Sequence, residues 1–362
     1  MKMSDEKKLT IRELIDAAVA DGAFPCASII AGTPYEILFE YYTGNRSIYP
    51  KTAPLDNNTL FDIASLTKVL ATVPLAMMFI DTGRISLADK VTEYLPEFLT
   101  NSGREIKLGQ LLTHTAGCTP HLPLFDMCCN YEDAISMIAK DGILHTPGAQ
   151  VLYSDLGFII MGRVLEITGK DTLDNLFMKY LYQPLDMHNT SFRPLSDNIA
   201  LTEKDPKTGS YLNGVVHDEN AKFFGGVSGH AGLFSNAADI SKFAVMLLRY
   251  GKACMKQIIS EASVRAMTRN YTYRLGEDRG LGWSLKAERI PGTDSYSSAG
   301  GDLATPGSYG HTGFTGTSIW LDNTLGVYII CLTNRVHYGR ENVKIIRFRR
   351  LLHNMFFASL EY

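Results

Sequence analysis

The spacing of hydrophobic positions along this 362-residue chain changes twice. Residues 8–20 carry apolar side chains at helical intervals and stop at Asp21-Gly22. The stretches "ASIIAG" and "YEILFEYYTG" that follow are short β-rich runs separated by Thr33-Pro34. From Ser65 to about residue 260 the signals are mostly helical: "SLTKVLATVPLAMMFIDTG", "IKLGQLLTHTAG", "NYEDAISMIAKDG", "LGFIIMGRVLEITG" and "AADISKFAVMLLRYG". Most of these end in glycine, as helices often do. Strand signals return in "GLGWSL", "GHTGFTGTSIWLD" and "LGVYIICLTN", and a last helix is predicted from about Arg340. The pattern predicts an α+β fold with one sheet built from residues 1–64 and 270–362. A mainly helical part spans 65–269, and a ligand cleft lies at the boundary.

Composition narrows the classes. With 45% hydrophobic and 20% charged residues the chain is globular, and a formal net charge of −3 without a long basic block excludes a nucleic-acid footprint. No run is long and apolar enough to span a bilayer, and the charged N-terminus lacks the apolar core of a signal peptide. The chain as written is therefore expected in the cytoplasm, although an export signal trimmed from it would leave the same sequence. The basic C-terminal "VKIIRFRRLLHNMFFASL" is expected to pack on the sheet with a solvated face rather than lie on a membrane. Six scattered cysteines read as reduced thiols. The local group His114, Cys118, His121, Cys128 and Cys129 matches no zinc spacing, so neither metal nor cofactor is expected.

Candidate chemistry begins at "FDIASLTKVLA", where Ser65 precedes Lys68 by three residues. If Ser65 opens a helix, both side chains share a face, and the helix start offers N–H groups to an oxyanion. A lysine becomes the base for a serine nucleophile when its pKa falls from about 10.4 to about 7, a differential of roughly 4–5 kcal/mol that burial can supply. The spacing alone is weak: Ser4-Asp5-Glu6-Lys7 repeats it in a charged segment. An N-cap serine beside an unrelated lysine reads equally well.

Further elements change the balance. "SLTK" at 65–68, "YSD" at 153–155 and "HTG" at 311–313 stand in the order of the penicillin-recognising serine enzymes. Together with "TPGAQVLYSDLGFIIMG" and "HDENAKFFGGVSGHAGLFS", they make nearly the whole chain resemble class C β-lactamases and their relatives. Those relatives include D-amino acid peptidases, family VIII carboxylesterases and muropeptide amidases. The resemblance implies an antiparallel sheet from both termini. It further implies Ser65 as acylated nucleophile, Lys68 and Tyr153 as its proton-handling partners, and the backbone N–H groups of Ser65 and Phe314 as oxyanion donors.

Asp155, His311, Thr312 and Gly313 would then lie on the substrate. Asp155 stands where class C enzymes usually carry asparagine, and His311 where lysine is usual. Both changes remove donor or cationic character, which points away from efficient β-lactam hydrolysis and toward a small ester, amide or cell-wall peptide. A non-catalytic penicillin-binding sensor and an acyltransferase are the rival readings on the same fold. Ser196-Asp197-Asn198 imitates a class A element but reads as a turn. His114 and His230 read as loop braces.

Overall fold

The computed structural model describes residues 1–99, 103, 105–286 and 299–361. At the N-terminal end are helix α1 (Asp5–Ala20) and strands β1 (Cys26–Gly32), β2 (Ile37–Ser47) and β3 (Ala53–Pro54). At the C-terminal end are strands β9 (Ser284–Leu285), β10 (Tyr309–Thr312), β11 (Ser318–Asp322) and β12 (Val327–Thr333), then helix α11 (Lys344–Ala358). These strands form one sheet in the order β3-β2-β1-β12-β11-β10-β9, with every pairing antiparallel. The two ends meet at β1–β12, where Ile29 faces Cys331 and Ile30 faces Ile330.

Successive strand residues point to opposite faces, and both faces of the two central strands are covered. In β12, Val327, Ile329 and Cys331 enter the core under α1 and α11, while Ile330 and Leu332 enter the larger core shared with the helices between the termini. Both strands are buried throughout, which accounts for their near-continuous apolar runs. Phe348 of α11 meets Phe24 edge to face at 4.8 Å. The basic residues of this helix do not share one solvated face: Arg347 is exposed, whereas Arg349 is buried.

Between the termini run helices α2 (Val73–Asp81), α3 (Leu108–Leu112), α4 (Leu124–Met127), α5 (Tyr131–Asp141), α6 (Asp155–Gly169), α7 (Leu173–Phe177), α8 (Glu219–Phe223), α9 (Ala237–Leu248) and α10 (Glu261–Met267). Among the described residues, four short strands also lie within residues 65–269, where helical periodicity does not predict them, and a fifth lies just before. β4 (Phe61–Asp62), β5 (Ser191–Phe192) and β6 (Leu233–Ser235) make a small sheet, and β7 (Lys252–Ala253) pairs with β8 (Lys256–Gln257). At two or three residues each they are too short to show a period. The serine of the Ser4-Asp5-Glu6-Lys7 repeat caps α1 by accepting the Lys7 N–H. Ser196 and Asn198 form a turn, with Ser196 Oγ accepting the Asn198 N–H at 3.1 Å.

His353 of α11 is fully buried, and burial, reinforced by Arg349, pushes its pKa down to about 3. The unfolded chain binds the same proton near pH 6.5, so stability contributed by the neutral ring is present above that pH and is lost as the pH falls toward 3. At pH 5 the loss from this group is about 2 kcal/mol. Urea unfolding at pH 7 and pH 5 should show it, and His353→Gln should flatten the dependence; an unchanged slope in that variant would assign the proton elsewhere.

Candidate active site

Ser65 lies between β4 and a single π-helical turn, Lys68–Thr72, that continues into α2. The turn into it is tight: Ala64 has φ +48°, in the left-handed region that side chains other than glycine's rarely adopt. Asp62 holds it there by accepting the Ala64 N–H at 2.9 Å on one carboxylate oxygen and the His217 N–H at 2.7 Å on the other. Backbone strain of about 1–3 kcal/mol at such a residue persists only where its surroundings enforce it, and here it sits directly before the candidate nucleophile.

Lys68 has no exposed surface and lies beneath the cleft, with Nζ 3.0 Å from Ser65 Oγ. Its other partners are Asp155 Oδ1 at 2.6 Å and the His230 carbonyl at 3.0 Å. The burial expected of Lys68 is present, yet its consequence differs from the expectation. Burial pulls the pKa down, but Asp155 and Tyr153 outweigh it, and the pKa is raised above the ordinary lysine value. Lys68 in this arrangement is an ammonium ion.

Tyr153 and Asp155 are delivered by the start of α6. The residue between them, Ser154, is the N-cap: its Oγ accepts the Leu156 N–H at 3.2 Å and donates to the Thr119 carbonyl. The Ser154 N–H donates to His114 Nδ1 at 3.1 Å, and the His114 ring lies 4.4 Å from the Tyr153 ring. His114 thus orients the tyrosine's segment. Its pKa is pushed well below 6.5 by burial, so it does so as a neutral acceptor. The Lys68 ammonium sits 5.1 Å from the centre of the Tyr153 ring.

His311, Thr312 and Gly313 form the end of β10 and its exit. Thr315 Oγ1 donates to the Asp62 carbonyl at 2.7 Å and Thr317 Oγ1 to the Ile63 carbonyl at 3.0 Å, which clamps this loop against the approach to Ser65. A Cβ on Gly313 would fall 2.1 Å from Thr317 Oγ1 and 2.4 Å from the Ile63 carbonyl oxygen, so the close approach requires glycine. Among the described residues, the N–H groups of Ser65 and Phe314 donate to no group of the protein, as oxyanion donors require. The Phe314 side chain is 49% exposed and stacks on His217, so it is not a core aromatic. Burial, with Arg279 and Lys68 nearby, holds the His311 pKa well below 6.5, which makes this side chain neutral at pH 7.

Ser65, Tyr153, Asp155, His311, Thr312, Gly313 and Phe314 all line one cleft of about 590 Å³, with Lys68 below it. The cleft also exposes groups that sequence reasoning missed. Arg279 and Arg349 line it, each only 6% exposed and each with an Nε that has no hydrogen-bond partner among the described residues. Arg279 lies 5.5 Å from the centre of the Tyr153 ring and forms an ion pair with Glu277 at 2.5 Å. Neither arginine belongs to a motif. The sole signal for Arg349 is its place at the helical interval from Ile345 and Leu352, on the inward face of α11. Asp155, Asp218 and His230 bring ligand atoms within 4.8 Å of one another, but the cation this group already holds is the Lys68 ammonium, with His230 Nε2 bonded to Asp218 at 2.8 Å.

The comparisons with known proteins agree with this architecture. The Beta-lactamase family model matches residues 11–354, and the chain belongs to that family. It is 33% identical over an alignment of 365 residues to a putative D-alanyl-D-alanine carboxypeptidase of Salmonella agona (strain SL483), covering 90% of this chain and 82% of that protein. Among solved structures, a class C beta-lactamase superposes with TM-score 0.80 at 18% identity, covering 100% of this chain and 99% of that one. EstCE1, a hydrolase with promiscuous acyltransferase activity, superposes with TM-score 0.78 at 21% identity, covering 98% and 99%. The chain is thus a β-lactamase-family serine hydrolase in class, and these two structures share its fold. Among the described residues no helix is long and apolar enough to cross a membrane.

Proposed function

We propose that the protein cleaves an ester, amide or peptide bond through an acyl-enzyme on Ser65, and that its natural substrate is a small peptide or amide carrying a free carboxylate. The nucleophile rests on the buried Lys68 Nζ 3.0 Å from Ser65 Oγ, beneath a cleft lined by Ser65 and Phe314, whose backbone N–H groups donate to no protein group among the described residues. Tyr153, which lines the same cleft, is the group suited to carry a proton to the leaving amine or alcohol.

The carboxylate rests on Arg279. The replacement of a β10 lysine by a neutral His311 suggests a cleft without a cation, but a guanidinium beside Tyr153 supplies one from outside the motifs. Its Nη2 is already paired with the Glu277 carboxylate, and the rest of the planar guanidinium suits a second carboxylate. The carboxypeptidase name of the 33% identical relative agrees with a substrate ending in a carboxylate.

Arg279→Gln should therefore raise KM for an acyl-dipeptide with a free C-terminal carboxylate by about 10- to 100-fold, the range of one charged hydrogen bond. It should leave the C-terminal amide of the same dipeptide nearly unaffected. Steady-state kinetics on the pair checks this, and an equal loss on both would remove Arg279 from carboxylate recognition.

A further inference from the structure

The Lys68 ammonium has three N–H bonds and three partners: Ser65 Oγ, Asp155 Oδ1 and the His230 carbonyl. An ammonium with all its protons in use cannot accept a fourth. Before Lys68 can take the serine proton, one of its own must leave, and the partner that receives it must be able to bind it. A carbonyl oxygen and a serine hydroxyl are far too weakly basic for this. A carboxylate is not, and Asp155 is the carboxylate in contact, 87 residues away along the chain.

Other charged or titratable groups face the ammonium, and Tyr153 joins Asp155 in raising its pKa, by charge and by hydrogen bonding. Tyr153 presents its ring at 5.1 Å, and Asp218, already bonded to His230, lies near enough for Lys68 to help hold its pKa below the usual carboxylate range. His114 and His311 are neutral, and Arg279 lies beyond Tyr153.

We propose that Asp155 is the proton acceptor of the acylation step, drawing the Ser65 proton through Lys68. The inference rests on Ser65 being the acylated group. Asp155 takes a proton from Nζ, giving a neutral amine and a carboxylic acid. The Ser65 hydroxyl proton moves to Nζ as Oγ bonds to the substrate carbonyl carbon, and negative charge collects on the carbonyl oxygen between the Ser65 and Phe314 N–H groups. When the intermediate collapses, the carbon-to-leaving-group bond breaks, the leaving amine or alkoxide receives that proton, and the Asp155 proton returns to Nζ. The ammonium–carboxylate pair is restored, and no co-reactant is needed. An asparagine at this position could bond to Lys68 but could not take its proton, so the residue that departs from the class C pattern would have a catalytic use of its own.

The test is the pH dependence of Ser65 labelling by a fluorophosphonate, followed by intact mass, in wild type, Asp155→Asn and Asp155→Glu. In Asp155→Asn, Lys68 must lose its proton to solvent. The acid limb of the labelling rate should move to higher pH, with a loss of about tenfold or more at pH 6 that shrinks as the pH is raised. Asp155→Glu should return most of the rate and bring the limb back toward the wild-type position. An unmoved limb in Asp155→Asn, or a loss equal at every pH, overturns the proposal and leaves Asp155 a structural counter-ion. If Asp155→Asn does not fold, Asp155→Glu decides alone: a limb close to the wild-type position supports the role, and a limb moved to markedly higher pH counts against it. Absence of labelling at Ser65 in wild type fails the nucleophile assignment itself, a result distinct from every outcome above.

Discussion

Replacement of Ser65 by alanine should abolish covalent labelling by a fluorophosphonate and lower turnover of a chromogenic ester by at least about 10⁴-fold, since removal of a covalent nucleophile costs at least that much in well-studied serine hydrolases. The loss should fall on kcat rather than on KM. The alanine removes the atom that forms the bond but leaves Arg279, His311 and the unpartnered N–H groups of Ser65 and Phe314 in place to bind substrate. Folding should be nearly unaffected, because Oγ is partly exposed at the cleft and its one contact among the described residues is the Lys68 ammonium. Intact mass after labelling and steady-state kinetics check both parts. Full turnover by the alanine variant would place catalysis elsewhere.

Lys68→Met should have the next largest effect, and on two measurements at once. Labelling of Ser65 should fall by about 10²–10⁴-fold, the usual worth of a positioned general base. Stability should also fall by up to about 3–5 kcal/mol, the range for breaking a buried ion pair from one side. Asp155 would lose its partner at 2.6 Å and the His230 carbonyl its donor at 3.0 Å, in a place the apolar methionine cannot satisfy. Because Asp155 retains some contact with water in the cleft, the loss should lie toward the lower end. Lys68→Arg should not restore the rate: a guanidinium keeps the charge but cannot yield a proton near neutral pH. Urea unfolding read beside the labelling rate separates the two effects. A stable but inactive Lys68→Met would show that the ion pair contributes little to folding.

Much of this site is local and can be read from the chain. A spacing of three residues lets Ser65 and Lys68 share a face, although at Ser4 and Lys7 the same spacing leaves the lysine on Glu361 instead. Alternation and apolar runs in "ASIIAG", "GTSIWLD" and "LGVYIICLTN" specify strands buried on one or both faces. The motif order was enough to associate Tyr153 and the "HTG" strand with that pair, and the cleft contains them all. The strands β4 to β8 were not legible, because two or three residues define no period.

The charge state of Lys68 was not legible either, and this is the difference that matters most for the chemistry. Sequence supplies the apolar flank that buries the ammonium, and burial alone would lower its pKa. The opposing attraction depends on the 2.6 Å separation from Asp155, which exists only because Ser154 caps α6 and His114 anchors its backbone. The same holds for Arg279 and Arg349: a lone arginine in a sequence is as readily solvated as buried, and packing alone decides that these two are buried beside a cleft. The sequence by itself determined which segments build the large sheet and which are mainly helical, since these follow from periodicity, while the roles of Ser65, Lys68 and Tyr153 are what the resemblance carried by their motifs implies. Only the tertiary structure decided the protonation of the lysine and the presence of Arg279 and Arg349 at the cleft, because Coulomb energies depend on distances through space between residues far apart in the chain.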